Sequence, residues 1–398
     1  MIVEALRSQY EYDKNKFLIT LIIVSLVYFS TGLVIPYVVI VQTSASSLSN
    51  VSLYNSIFAS IGAIITMLLI TRKIESSHLT RLVLSGIILA IARLFVSLIP
   101  IFKNELIVFF STMGAMSSSV FFAELLYFII RLYDNKNKMK ATITFNTFGQ
   151  ISLIIGYFTS SVVYPHFEIL FSSASLILII SLSLAMKYYK NTIKHVEEHK
   201  VNIERIFNNK PILIIFSITI IILSLVNFIS PIVFKEGLSG KFVGYAYIIA
   251  ALIVIFAVPY TIKIFAKLKN TYREAIVTLM ISILIALSMF ILSPQQMIIS
   301  QYLLIWIINT LYTTSRHNLF KGFEVEENWI VSLIVGLLSL TGTMFLFILK
   351  VINVTTIQDV VKVELMFMIV GIIYTLHKII RSNTSYNIEQ ISKNNHSD

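Results

Sequence analysis

The chain has 398 residues, of which 57% are hydrophobic and only 13% are charged. A water-soluble protein of this length could not bury so much apolar surface, so the composition excludes an ordinary soluble enzyme or binding domain. There is no cysteine, which excludes disulfides, thiolate catalysis and cysteine-bound metals. The net charge of +11 suggests nucleic acid at first sight, but its distribution points elsewhere.

Long apolar runs fill nearly the whole chain, and each is long enough to cross a bilayer as a helix, which takes roughly 20 residues. They are too long and too uniformly apolar for the alternating strands of a membrane barrel. The first run is longer than the apolar part of a signal peptide and lacks a small-residue cleavage site. We predict an all-α membrane protein with twelve transmembrane helices, at residues 17–41, 49–71, 80–101, 105–131, 141–164, 167–187, 211–234, 242–265, 275–293, 297–316, 329–350 and 362–380.

Lys and Arg residues lie mostly on one side of these segments. Twenty-five of the 31 lie near the termini or near loops that follow an even-numbered segment, five lie on the other side, and Arg93 lies within a segment. Because cytoplasmic loops are enriched in positive charge, both termini are predicted to be cytoplasmic. The net charge is therefore an orientation signal, and we expect no nucleic-acid partner.

One long polar stretch divides the twelve predicted helices into two groups of six. We expect an N-terminal half at residues 1–187, a cytoplasmic linker loop at 188–210 and a C-terminal half at 211–381. Residues 382–398 are polar, and we expect them to form a cytoplasmic tail without ordered structure.

Six helices, a basic cytoplasmic loop, six further helices and two cytoplasmic termini resemble the major facilitator superfamily of transporters. The resemblance covers about residues 14–381 and implies two repeated halves, with substrate bound between them near the middle of the membrane. The two predicted halves also show weak internal similarity, because the loops after segments 2 and 8 are both basic. Segments 5 and 11 also carry paired glycines: Gly149 and Gly156, and Gly336 and Gly342.

The signature motifs of the family are degenerate in this chain. The signature expected after the second helix falls on residues 72–77, where its Asp, Gly and paired Arg are absent. Phe110 stands where many proton-coupled exporters of the family have Arg, and Tyr157 replaces the Pro of the antiporter Gly-Pro pair. The resemblance thus implies a transporter fold more directly than it implies a drug/proton antiporter.

Glu124 is, by our segment boundaries, the only acidic side chain well inside a predicted helix. A carboxylate at membrane depth needs a partner, water or a proton, so Glu124 is our candidate for proton coupling or for contact with a cationic substrate. Ser117 and Arg131 lie seven residues before and after it on one helix face. The alternative is a structural carboxylate tied to Arg131 or to a neighbouring helix near the cytoplasmic end.

Arg93 is the only basic residue at membrane depth. It lies about 10 Å from the outer end of its segment and roughly 10 Å from Glu124 in depth, so we do not expect the two to pair. We expect a structural role, with the side chain extending to the outer interface as long cationic side chains often do. The scarcity of cavity charge then favours a neutral or weakly cationic substrate.

The tenth segment carries a polar and aromatic stripe, because steps of four and three residues place its members on one helix face. Helix 10 borders the central cavity in the family, so the resemblance implies a substrate-binding face. Tyr302 and Trp306 would stack on an amphipathic substrate and Asn309 would orient it, with Thr313 on the same face. The alternative is packing between helices.

Further cavity candidates are the polar residues within other segments: Tyr28, Ser117, Asn146, Gln150 and Asn227. Pro36 and Pro231 occupy matching positions in the first helix of each half. Each proline frees a backbone carbonyl and permits a kink, so both are candidate gating hinges.

No enzyme, cofactor or metal site is expected. His195 and His199 have a spacing of four residues, but they lie in a polar loop without the HExxH order, and no Gly-rich phosphate loop points to ATP. We predict a monomeric secondary transporter of the bacterial cytoplasmic membrane that exports a small amphipathic molecule, coupled to protons. Its partners would be membrane lipids, the substrate and protons.

Three alternatives stay open at this point. The first is an importer or a lipid-linked flippase of the same fold, because the residues do not fix the direction of transport. The second is a receptor or scaffold without transport, which the degenerate signatures favour. The third is a membrane enzyme, for which no catalytic constellation is present.

Overall fold

A computed structural model describes residues 14–71, 78–98, 104–131, 135–189, 210–268, 271–320 and 344–394. Every regular element in these ranges is a helix. Nine helical stretches within them are long and apolar enough to cross a membrane. The protein is therefore an all-helical membrane protein, as its composition predicts.

The N-terminal half contributes six long helices that match the first six predicted segments. They are α1 (Lys14–Ala45), α2 (Leu48–Thr71), α3 (His78–Ser97), α4 (Asn104–Arg131), α5 (Asn135–Val163) and α6 (Phe167–Tyr189).

The C-terminal half contains α7 to α13, of which α8 and α9 together form the eighth predicted segment. The helices are α7 (Lys210–Gly237), α8 (Val243–Leu252), α9 (Val258–Phe265), α10 (Thr271–Ser288), α11 (Pro294–Phe320), α12 (Leu346–Val351) and α13 (Ile357–Asn394). A π-helical turn at Ile253–Ala257 joins α8 to α9. Such turns insert one extra residue into a helix and often mark functional positions.

One prediction about the C-terminal part needs correction. Helix α13 continues to Asn394, so most of the tail that we expected to lack ordered structure is helical. Residues 382–394 contain neither Pro nor Gly, so nothing in the sequence stops the helix. Most of the eleventh predicted segment, including Gly336 and Gly342, lies outside the described residues.

Large apolar side chains cover the outside of the bundle as well as its interior. Leu284 is 69% exposed and Phe256 is 71% exposed, whereas Phe121 and Phe216 are buried. The apolar exterior is what a surface in contact with lipid requires.

Small residues let α1 and α5 approach closely. A Cβ placed on Gly156 would lie 2.6 Å from the carbonyl oxygen of Phe29 and 2.8 Å from the Cα of Gly32. Only hydrogen fits at such a distance, so the glycines at these two positions set the spacing of the two helices.

Candidate functional site

The two halves contact each other at the end of the bundle that the charge distribution predicts to be outer. The hydroxyl of Tyr37 in α1 donates a hydrogen bond to the carbonyl oxygen of Gly240, just before α8, at 3.2 Å. The ammonium group of Lys350 in α12 donates to the side-chain oxygen of Asn50 in α2 at 2.8 Å. Both contacts join one half to the other.

Aromatic rings surround this contact. Tyr37 is fully buried and stacks on Tyr164, with 5.3 Å between ring centroids. Tyr157 of α5 packs against Tyr247 of α8 at 5.5 Å. Rigid rings of this size close a passage to polar solutes while they stay packed. The two halves therefore meet at the predicted outer end through aromatic side chains as well as through these two hydrogen bonds.

Arg93 is buried within the N-terminal half. Its side chain is 6% exposed, and its guanidinium donates to the hydroxyls of Ser30 at 3.0 Å and Thr31 at 3.2 Å, both on α1. The prediction that Arg93 extends to the outer interface is wrong, because these hydroxyls hold the guanidinium between α3 and α1. Arg93 also lines a cavity of about 380 Å³ between α1, α3, α4 and α6.

Glu124 on α4 lies beside Arg81 on α3. Glu124 Oε1 is 2.9 Å from Arg81 Nε, and both side chains are largely buried. Nε makes no aligned hydrogen bond, so the contact is a close ion pair. The carboxylate thus has a cationic neighbour on an adjacent helix, as in the structural alternative. The side chain of Arg131 lies outside the described part of the molecule.

The polar groups of the α11 stripe bind to the neighbouring helices. The hydroxyl of Tyr302 donates to the carbonyl oxygen of Ala246 in α8 at 3.1 Å. The indole N–H of Trp306 donates to Thr261 Oγ1 in α9 at 2.8 Å. These bonds orient the two rings, and both residues are half-buried.

The lower part of the stripe bonds to its own helix. Asn309 donates to the carbonyl oxygen of Ile305, and Thr313, which is exposed, donates to that of Asn309. Asn309 keeps its amide oxygen as an acceptor, so this face retains polar capacity next to the two rings.

The remaining candidates are spread over four helices. The ring of Tyr28 packs on Gly149 of α5 and against Phe122 of α4. Ser117 is buried and donates to the carbonyl oxygen of its own helix. Asn227 is exposed in the middle of α7, and Gln150 is half-buried. The side chain of Asn146 lies outside the described residues.

Both candidate hinge prolines lie inside helices, Pro36 in α1 and Pro231 in α7. Gln301 of α11, which we did not select from the sequence, is fully buried beside Pro231. Its amide donates to the carbonyl oxygen of Val226 at 3.0 Å and to Ser230 Oγ at 2.7 Å. An uncharged polar residue inside an apolar segment was the available signal.

Glu364 of α13 is a second buried acidic residue, so Glu124 is not the only one inside a membrane helix. It is 0% exposed, and neither carboxylate oxygen has a hydrogen-bond partner within the described part of the chain. The predicted segment began at residue 362, whereas α13 begins at Ile357. That boundary error placed Glu364 at the membrane surface.

Comparison with known protein families identifies one that matches most of the chain. The sequence model of the Major Facilitator Superfamily matches residues 17–377. No curated protein sequence matches the chain at a significant level.

Several solved transporter structures are similar in fold. The nucleoside transporter NupG has a TM-score of 0.66 at 13% identity, over 92% of this chain and 98% of that one. An auto-inhibited POT family peptide transporter has a TM-score of 0.71 at 10% identity, over 93% and 97%. An inward-facing, unoccupied bacterial homolog of the human lysosomal transporter Spinster has a TM-score of 0.62 at 13% identity, over 92% and 95%. Identities this low establish the fold alone.

Proposed function

Because the chain belongs to the major facilitator superfamily, we propose that it is a secondary active transporter that moves a small amphipathic molecule by alternating access. In this fold, substrate binds between the two halves, and rocking of the halves exposes it to each side in turn. The chain is a multi-pass membrane protein of this fold. Its mechanism would require neither ATP nor a metal.

One observation carries this proposal. The hydrogen bonds of Tyr37 with Gly240 and of Lys350 with Asn50, together with the ring contact of Tyr157 with Tyr247, join the two halves at the predicted outer end without a covalent link. Such interactions can break without unfolding a helix, which is what a gate requires. We infer that the structure represents the state that is closed to the outside.

The finer topology is part of the proposal. We propose twelve transmembrane helices in two halves, residues 1–187 and 211–381, joined by a cytoplasmic linker at 188–210 and followed by a tail at 382–398. The excess of Lys and Arg on one side supports cytoplasmic termini in a bacterial cytoplasmic membrane. We expect the monomer to be the functional unit, since each monomer contains both halves of the pathway.

For coupling, we propose that Glu124 exchanges a proton during export. Its pairing with Arg81 supports this role, because a carboxylate that can choose between a cation and a proton can link protonation to helix movement. For binding, the half-buried aromatic residues Tyr302 and Trp306 support an amphipathic substrate.

Alternating access can be tested before the substrate is known. The chain has no cysteine, so single labels can be introduced without removing native thiols. Ser47 and Val351 are exposed at the gate, and neither side chain takes part in the Lys350–Asn50 bond, although Ser47 Oγ accepts a hydrogen bond from the backbone N–H of Asn50 at 3.4 Å. With spin labels at Ser47→Cys and Val351→Cys, we expect a short distance and a second, longer one. A single distance at every pH would favour a receptor or scaffold.

A pair within one half provides the control. Ser47→Cys with Glu105→Cys labels two exposed positions at the same end of the N-terminal half, and their distance should stay constant. The substrate itself would come from comparing metabolites inside and outside cells that overproduce or lack the protein. Enrichment outside supports export, and enrichment inside would reverse the direction.

A further inference from the structure

The cavity in the N-terminal half has the size and walls of a small-molecule site. Its volume of about 380 Å³ lies within the range of such sites. Apolar side chains from α1, α3 and α4 form most of its wall, among them Ile35, Phe110 and Phe122. Its polar groups are few and lie on the same three helices: Thr31, Arg93, Ser111 and Ser118.

Arg93 brings an uncompensated positive charge to this cavity. The guanidinium has five N–H donors, and its hydrogen bonds to Ser30 and Thr31 use two of them. Both hydroxyls are uncharged, and each donates a hydrogen bond to the carbonyl oxygen of Val27. Within the described residues, no carboxylate lies at ion-pair distance from Arg93. A buried charge without a counterion is costly, so an anionic partner would stabilise it.

We propose that this cavity is the subsite for the anionic group of the transported molecule, and that Arg93 binds it. An arginine fork matches the geometry of a carboxylate, and one arginine suits one such group. The apolar wall beside it suits an attached apolar body. The substrate class is then an amphipathic monocarboxylate. This inference rests on the proposed function and replaces the neutral or weakly cationic substrate expected from the sequence.

The position of the cavity fits a role in transport. Helix α1 supplies both the hydroxyls that hold Arg93 and the gate residue Tyr37. Thr31 and Tyr37 are six residues apart, or about 9 Å along the helix. An anion on Arg93 therefore binds next to a helix that contacts the other half, where it can bias the closed or the open state.

Binding of defined probes tests the proposal without the natural substrate. The purified full chain, in nanodiscs of phosphatidylcholine, would be titrated with phenylpropionate, its neutral amide and the corresponding amine. We expect the acid to bind most tightly and to raise the unfolding temperature most. Arg93→Met should weaken binding of the acid about tenfold or more, the effect of losing a charge-assisted hydrogen bond in a buried site. Arg93→Lys should retain part of the preference.

Two further variants keep the test sharp. Arg273→Met removes an exposed guanidinium from the start of α10 and should leave binding of the acid unchanged. Gly114→Ala adds one methyl group to the cavity wall without touching Arg93, since a Cβ there meets only Ala92 at 3.4 Å and Leu89 at 3.8 Å. This variant should weaken the binding of all three probes, including the acid. It can be measured even if Arg93→Met does not fold.

Several outcomes would overturn the proposal. One is equal binding of acid, amide and amine by the unmodified protein. Another is an acid preference that persists in Arg93→Met. A third is loss of acid binding when phosphatidylglycerol is added to the nanodiscs, because a lipid would then be the occupant. If the acid binds preferentially but the spin-label distances show no gate opening, the Arg93 site is retained and transport is rejected. A failure of this inference is therefore distinguishable from a failure of the proposed function.

Discussion

Arg81 Nε lies 2.9 Å from Glu124 Oε1, and this ion pair joins α3 to α4 with only 13% and 7% of the two side chains exposed. A pair at this burial differs from a surface salt bridge in what its loss costs. Removing one member leaves the other charge in a poorly hydrated place, whereas removing both leaves no charge behind.

We therefore predict that Glu124→Gln and Arg81→Gln each lower the free energy of unfolding, by roughly 1–3 kcal/mol, between the values for exposed and buried pairs. The double variant should lose less than the sum of the two. A double-mutant cycle from thermal or denaturant unfolding measures this coupling. Additive losses would mean that the two charges do not interact in the folded protein.

The same variants separate coupling from stability. If Glu124 exchanges a proton during transport, Glu124→Gln and the double variant should both lose export driven by a proton gradient, although the double variant no longer contains an unpaired buried charge. Export would be measured for the compound that the metabolite comparison identifies. Recovery of export in the double variant would instead mean that the pair has a structural role only.

The sequence predicts the helices well because long apolar runs leave few alternatives in a membrane. The common face of Tyr302 and Trp306 also follows from helical spacing alone. Partners across helices do not follow, because they depend on which faces meet. The hydroxyls of Ser30 and Thr31 hold the Arg93 side chain inside the bundle. They lie on α1, so the sequence around Arg93 in α3 does not predict them. Glu364 was missed for a simpler reason, an error of five residues in a helix start.

The close approach of α1 and α5 leads to a further prediction about stability. A Cβ on Gly156 would meet backbone atoms at 2.6 and 2.8 Å, so Gly156→Ala forces the two helices apart. We expect a loss of about 1–3 kcal/mol in the free energy of unfolding, typical of overpacking. Gly114→Ala is the matched control, since its Cβ meets only side-chain carbons, Ala92 Cβ at 3.4 Å and Leu89 Cδ1 at 3.8 Å. Equal unfolding temperatures for the two variants would contradict this packing.

Gln301 leads to another prediction about stability. It is buried in α11 and satisfies the carbonyl oxygen of Val226 and the hydroxyl of Ser230 beside Pro231. Gln301→Leu should cost about 1 kcal/mol, because it removes two hydrogen bonds between α11 and α7, while Ser230 Oγ continues to donate to the carbonyl oxygen of Val226. Gln295→Leu, at an exposed position near the start of the same helix, should change stability much less. Thermal unfolding of both variants in the same nanodiscs compares them directly.

Glu364 and Glu124 are predicted to respond in opposite ways to the same substitution. Glu364 has no hydrogen-bond partner for either oxygen within the described residues, so Glu364→Met removes a buried polar group without breaking a contact. Its unfolding temperature should stay the same or rise, as when buried polar groups give way to apolar side chains of similar size. Glu124→Met breaks the pair with Arg81 and should lower it. A loss at Glu364 as large as that at Glu124 would contradict this prediction.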